Sequence, residues 1–209
     1  MSDPQAAPIA IPPHLLEQCF AHGQQTYPEE ACGYLSGPEA EAGAVTEGHP
    51  IPNIQNRMHA EDPQTYPREA KEAYFLDPKV RLPLERRLRA ENRAIRVIYH
   101  THPDVGAYFS AEDQRKALWN GEPLFTGVFY LVCGITHRKP DGAILAWWDE
   151  AGKVWKEHQV LPPTSGPPTI ERPPPGGGVP GGGIPGDPVG PGFGLPGAEI
   201  PSNGWPTMQ

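Results

Sequence analysis

The composition changes abruptly at Leu161-Pro162, and that break bounds what the chain can build. From residue 161 to residue 209 more than half of the residues are Pro or Gly, apolar side chains are scattered and charges are few. Such a segment cannot bury enough apolar surface to offset the entropy of ordering it. A disordered Pro/Gly-rich tail is therefore expected over 161–209, with the reiterated Gly-Gly-Gly-Val/Ile-Pro-Gly of 176–186 as low-complexity sequence. Residues 1–11 are expected to be a disordered N-terminus. A core must come from residues 12–160, which is long enough for one cooperative domain.

Within that span the apolar pattern predicts a series of elements. Leu15, Leu16, Cys19 and Phe20 form one stripe behind Pro12-Pro13, a helix ending at His22-Gly23. Cys32–Leu35, closed by Ser36-Gly37-Pro38, suits a buried strand with Glu29 and Glu30 at its entrance. Residues 39–43 form a hairpin-like connection into a strand over 44–56, edge-like because Pro50 and Pro52 cannot donate to a ladder. Residues 57–68 read as a loop and 70–76 as a strand. An amphipathic helix follows over 80–92, carrying Leu82, Leu84 and Leu88, with Pro83 in its first turn. Residues 94–99 are a β-branched strand, and Pro103 blocks its continuation. A helix opening at Ser110 runs to about Trp119 and stops at Asn120-Gly121. Residues 126–135 form a buried strand, and 142–148 pairs with 153–160 as a hairpin. This order gives an α/β class: a single mixed-sheet domain flanked by helices.

Charge and cysteine usage narrow the function classes. A net charge of −8 argues against a nucleic-acid partner and against electrostatic binding to an anionic membrane. No apolar run approaches the roughly 18 residues of a membrane span, and the N-terminus has no signal-peptide pattern. Cys19, Cys32 and Cys133 are too few and too spread for a disulfide framework, so a reducing cytoplasm is expected.

Chemistry concentrates in Tyr99-His-Thr-His-Pro-Asp-Val-Gly-Ala-Tyr-Phe-Ser-Ala-Glu-Asp113. On an extended chain residues i and i+2 face the same side, so His100 and His102 can address one ion. Asp113 follows His102 by eleven residues, at the third position of a helix that Ser110 can cap. Two imidazoles and a carboxylate suit a catalytic zinc site, which keeps a fourth position for water. Spacing alone leaves this reading level with a plainer one, two core or surface histidines beside a helix cap. Glu112 competes with Asp113 as a ligand, and Glu29 and Glu30 read alone as solvated turn residues. Cys32 is read as a small buried residue, and His49, His59, His137 and His158 as surface. Trp147-Trp148 is expected to place one ring inside and one outside, while Tyr108-Phe109 either meets substrate or anchors its loop. A zinc deaminase would want a Cys-x-x-Cys pair, and the sequence has none.

His-Thr-His-Pro, six residues, then Ser-Ala-Glu-Asp resembles the His-x-His-Pro-x6-Ser-x-x-Asp signature of the JAMM (MPN-plus) zinc metalloproteases. Glu30-Ala-Cys-Gly-Tyr-Leu-Ser-Gly37 resembles their upstream glutamate strand, and the likeness covers residues 12–160, without long insertions, as in short prokaryotic members. The resemblance implies a cytidine-deaminase-like JAMM/MPN fold and a Zn2+ ion held by His100, His102 and Asp113. It implies Glu30 as the base acting on water and Ser110 as the donor to the oxyanion; the registers of Gly33 and of the eleven-residue spacing favour Glu30 over Glu29 and Asp113 over Glu112. It implies hydrolysis of a peptide or isopeptide bond at the C-terminal Gly-Gly tail of a ubiquitin-like or sulfur-carrier protein. The alternative is a non-catalytic MPN-fold scaffold or interaction protein. Phe109 stands where many members carry Pro before the Ser. The Pro/Gly-rich tail is expected to serve as a spacer or to bind a partner, and self-inhibition through its Gly-Gly-Gly runs is a further idea.

Overall fold

The structure, a computed structural model, describes residues 8–162. Of the tail expected over 161–209 all but residues 161 and 162, and most of the N-terminal segment 1–11, lie outside the described residues; Leu161 belongs to the last strand. Ile9 is already buried in the core, so the ordered body begins before residue 12.

The elements are α1 (Pro13–Thr26), β1 (Cys32–Pro38), β2 (Glu47–Ile51), α2 (Gln55–Glu61), α3 (Pro78–Ala90), β3 (Arg93–Pro103), α4 (Ala111–Lys116), β4 (Leu118–Trp119), β5 (Glu122–Pro123), β6 (Phe129–Thr136), β7 (Lys139–Asp149) and β8 (Val154–Leu161). Six strands form one mixed sheet in the order β2-β1-β3-β6-β7-β8, with β3 and β6 parallel and the other neighbours antiparallel. The period-two alternation of β3 divides the core in two. Val97 and Tyr99 join Leu15, Cys19 and Phe20 of α1 on one face. Ile98 joins Cys32, Tyr34, Leu76 and Phe109 on the other. His100 and His102 are in phase with Ile98, so the sheet presents them on the face opposite α1. The β3 ladder runs through both histidines and ends at Pro103, as the missing donor requires.

The edge reading of the strand near Pro50 holds, since β2 pairs only with β1. Other expectations change. Residues 57–68 were expected as loop, but α2 occupies Gln55–Glu61. Residues 70–76 form no strand: apart from one bridge, Asn53 to Leu76, that segment has no ladder partner. The third helix starts earlier, at Pro78, with the Asp77 carboxylate accepting from Lys79 N at 2.9 Å; Pro83 therefore sits inside it and leaves the Lys79 carbonyl without its helical donor. The helix at Ser110 ends at Lys116 rather than near Trp119. The chain is already extended by Leu118, and Asn120-Gly121, both at positive φ, turns it into the β4–β5 hairpin.

The first helix does not end at His22-Gly23. Gly23 is instead a contact point where α1 crosses the sheet: a Cβ there would come within 2.8 Å of Thr101 Cγ2 and of Ile135 Cγ1. Because Thr101 lies between the two histidines, α1 seats the histidine-bearing strand from behind. Gly23→Ala is expected to destabilise the fold by about 1–3 kcal/mol through overpacking. A urea melt checks this; an unchanged midpoint would show that the helix can yield at no cost.

Candidate metal centre

Three side chains from two elements converge. His100 and His102 project from the last turn of the pleat of β3, and Asp113 from the first turn of α4. The loop between them is fixed at its end by a capping box: Ser110 Oγ accepts from Asp113 N, and the Asp113 carboxylate accepts from Ser110 N at 3.0 Å. The Ser110 hydroxyl also donates to Asp113 Oδ2.

His100 Nε2 lies 3.1 Å from His102 Nε2 and 3.5 Å from Asp113 Oδ1, and His102 Nε2 lies 3.6 Å from Asp113 Oδ2. Ligands about 2.0–2.1 Å from a tetrahedral zinc stand roughly 3.3 Å apart. The observed separations bracket that edge length, and all three groups are buried or nearly so, the Asp113 side chain being 10% exposed. Among the described residues this is the one such group of His, Cys, Asp and Glu. The electrostatics suit a cation. Burial lowers the pKa of His100 and keeps its ring neutral. Burial raises Asp113, but His100 and His102 outweigh it and hold the carboxyl well below its usual range. His102 is also pushed down by burial, but the bond to Asp113 and the charge of Glu30 raise its pKa overall. These residues therefore fit a zinc ion, as two neutral-capable imidazoles and an anionic oxygen.

Glu30 reaches the same face by strand pairing. Cys32 stands opposite His100 at the end of the β1–β3 register, and Glu30, two residues before it, is near enough to His102 and Asp113 to feel the charge of both. Thr101 locks this register: its N donates to Ala31 O at 3.0 Å and its Oγ accepts from Ala31 N at 2.8 Å. Glu30 is 5% exposed, and burial pushes its carboxyl up to about 8, with His102 opposing and Asp113 adding to the rise. Glu29 is elsewhere, accepting from Asn56 Nδ2 at 2.7 Å. Glu112 pairs with Arg115 and Lys116 at 3.2 and 3.4 Å and stands outside the triad.

Two aromatic rings enclose the imidazoles. Tyr74 stacks on His100 with centroids 4.7 Å apart, and Tyr108 meets His102 edge-on at 4.9 Å. Tyr108 is thus at the site, whereas Phe109 turns away and packs on Tyr130 and Trp155, anchoring the loop. Cys32 is fully buried, and burial holds its thiol well above the usual range. His49 is not a surface residue: it is 7% exposed, with Nε2 at 2.8 Å from Ser36 Oγ, because it is in phase with buried Ile51 on β2. His59 is half-buried against the Tyr66 carbonyl, while His137 and His158 are exposed. Trp147 and Trp148 are both half-buried. Sequence reasoning passed over Tyr74 and Asn53. A lone tyrosine in an irregular segment carries no periodic signal, whereas an Asn two residues before a helix residue is a legible turn former.

Residues 12–150 match the family of prokaryotic homologs of the JAB domain. A desampylase of Haloferax volcanii is 30% identical over 119 residues, 57% of this chain and 68% of that protein. A CysO-cysteine peptidase of Mycobacterium tuberculosis is 28% identical over 109 residues, 52% of this chain and 65% of that protein. A solution structure of a protein from Desulfitobacterium hafniense superimposes with a TM-score of 0.50 at 22% identity, covering 72% of this chain and 88% of that one, a likeness of fold. With its signature residues gathered on one face of a mixed sheet, the chain belongs to the family of prokaryotic JAB-domain proteins.

Proposed function

We propose that the chain is a zinc-dependent (iso)peptidase that hydrolyses the bond following the C-terminal Gly-Gly of a ubiquitin-like or sulfur-carrier protein. The observation that carries the reading is the convergence of His100, His102 and Asp113 opposite a buried glutamate with a raised pKa. The names of the relatives support peptidase chemistry. The substrate class is what the family resemblance implies.

His100, His102 and Asp113 would hold the ion, which when bound supplies a Lewis acid and lowers the pKa of water toward about 7. Glu30 takes the proton from the attacking water and delivers it to the leaving amine; a carboxyl whose proton affinity is raised by burial suits both steps. Ser110 donates from its hydroxyl to the oxygen that gains charge in the tetrahedral intermediate, turning its proton away from Asp113. Tyr74 and Tyr108 exclude water from the flanks of the imidazoles.

Purified protein should carry one zinc per chain, and His102→Ala should lose it; elemental analysis checks both. Cleavage of a ubiquitin-like protein fused through Gly-Gly to a peptide should require the metal. Glu30→Gln should keep the zinc and lose cleavage by about 100-fold or more. Equal cleavage by the two proteins, or no bound zinc, would overturn the reading and leave the scaffold alternative. Ser110→Ala should lower kcat by about 100-fold and cost about 1 kcal/mol of stability through loss of its cap.

Glu30 also makes the metal-free protein pH-sensitive. Its carboxyl titrates near 4.5 when unfolded and about 8 when folded. The folded state therefore binds this proton more tightly. Its contribution to stability is full below pH 4.5 and is lost as pH rises toward 8, at about 1.4 kcal/mol per pH unit. Glu30→Gln removes that loss. Its melting temperature relative to wild type, both stripped of metal, should rise steadily between about pH 5 and pH 8. A constant difference would show that the carboxyl is not held in a dry site.

A further inference from the structure

One side chain outside the signature bonds both to the backbone of Glu30 and to the residues on either side of Tyr74. Asn53 lies just after β2, half-buried, and its carboxamide is fully used. Nδ2 donates to Glu30 O at 2.9 Å and to Ala73 O at 3.1 Å. Oδ1 accepts from Gln55 N and from Phe75 N, both at 3.0 Å. Two donors and two acceptors in one plane are what an amide offers and no other side chain of that size does.

The four bonds tie together groups far apart in sequence. The first fixes the peptide that carries the Glu30 carboxyl. Glu30 N in turn donates to Ala70 O at 2.7 Å, so both backbone polar atoms of Glu30 are held. The bonds to Ala73 and Phe75 bracket Tyr74, whose ring stacks on His100. The bond to Gln55 starts α2, and Gln55 Nε2 reaches back to Arg68 O at 2.7 Å. The segment over 62–77 has no ladder of its own beyond the Asn53–Leu76 bridge. The Asn53 bonds to Ala73 and Phe75 therefore add to three backbone bonds, Ile54 N to Phe75 O, Asp77 N to Pro52 O and Glu30 N to Ala70 O, in placing it against the site.

We propose that Asn53 is a positioning residue that registers Glu30 against the metal centre and, through Ala73 and Phe75, braces the His100 ring by way of Tyr74. It touches neither substrate nor ion and acts through these two groups. Asp at this position would keep the acceptors toward Gln55 and Phe75. It would lose both donors and set a carboxylate against the carbonyls of Glu30 and Ala73. Ala would lose all four bonds.

The activity arm of the test rests on the peptidase reading; the metal arm does not. Full-length wild type, Asn53→Asp, Asn53→Ala and Ser36→Ala are compared. Ser36 is a buried hydroxyl bonded to His49 and Arg93, and it serves as a control for stability loss alone. Zinc affinity is read by competition with a chelating dye, and kcat and KM on a ubiquitin-like protein fused through Gly-Gly to a peptide. Both Asn53 variants are expected to bind one zinc about tenfold more weakly and to lower kcat by about 10–100-fold with KM little changed. Ser36→Ala is expected to melt lower with zinc affinity and kcat intact. Should Asn53→Asp fail to fold, Asn53→Ala decides. Zinc affinity and kcat within about twofold of wild type in a folded Asn53 variant, or losses matched by Ser36→Ala, overturn the proposal. If wild type binds zinc but cleaves nothing, the peptidase reading fails, and the affinity of the Asn53 variants still decides whether Asn53 braces the centre.

Discussion

The antiparallel pairing of β1 with β3 is the constraint on which the site depends. Register on a sheet has a period of two, so a slip of one residue would send Glu30 to the α1 face while His100 and His102 stayed on the other. Several features hold this register. Thr101 bonds both polar groups of Ala31, and a Cβ at Gly33 would collide with the His49 carbonyl and the Tyr99 ring. Behind the strand, Gly23 lets α1 sit directly on Thr101. The small residues between the signature positions decide which face those positions address.

The electrostatic design follows from the same burial. Glu30, His100, His102 and Asp113 share one dry pocket, where each charge is costly unless another answers it. The pocket splits the carboxyls in opposite directions. Asp113, flanked by two imidazoles and by its own helix cap, stays anionic. Glu30, shielded from water and facing Asp113 as well as His102, is driven up. Two carboxyls pushed apart in this way divide naturally into a ligand and a proton carrier.

The parts of this arrangement legible in the sequence were those with a local cause. A β-branched run ending in His-Thr-His-Pro declares a strand and the common facing of its histidines, and Ser110 with Asp113 declares a helix start. Glu30 was legible only through the family signature, because nothing local links it to residues seventy positions later. Other features had local signals that competing signals obscured. Asn120-Gly121 was read as stopping a helix, when it turns a two-residue hairpin. His49 sits in phase with Ile51, so alternation alone marked it as inward. The segment from Asn53 to Leu76 was the least legible. It has no sustained period of 2 or 3.6, and it is held by scattered hydrogen bonds, four of them to the Asn53 amide and others involving Ile54, Gln55 and Asn56, rather than by an apolar stripe.

That contrast bears on how such a centre is held together. His100 and His102 stand on a central strand, with His100 paired to both β1 and β6 and His102 to β6, while Asp113 comes from the capped start of α4. Glu30 stands two residues before its strand, where the ladder has ended, and Tyr74 stands in a segment that has none. Backbone polar groups in both places are too enclosed to be left to water, so something must satisfy them. A carboxamide that donates twice and accepts twice meets that demand in one side chain, and in doing so it fixes the distance between the base and the ring stacked on a ligand. The sheet thus sets the two histidines, while an irregular segment, held by the Asn53 amide together with backbone bonds to Glu30, Pro52 and Ile54, lays Tyr74 on His100.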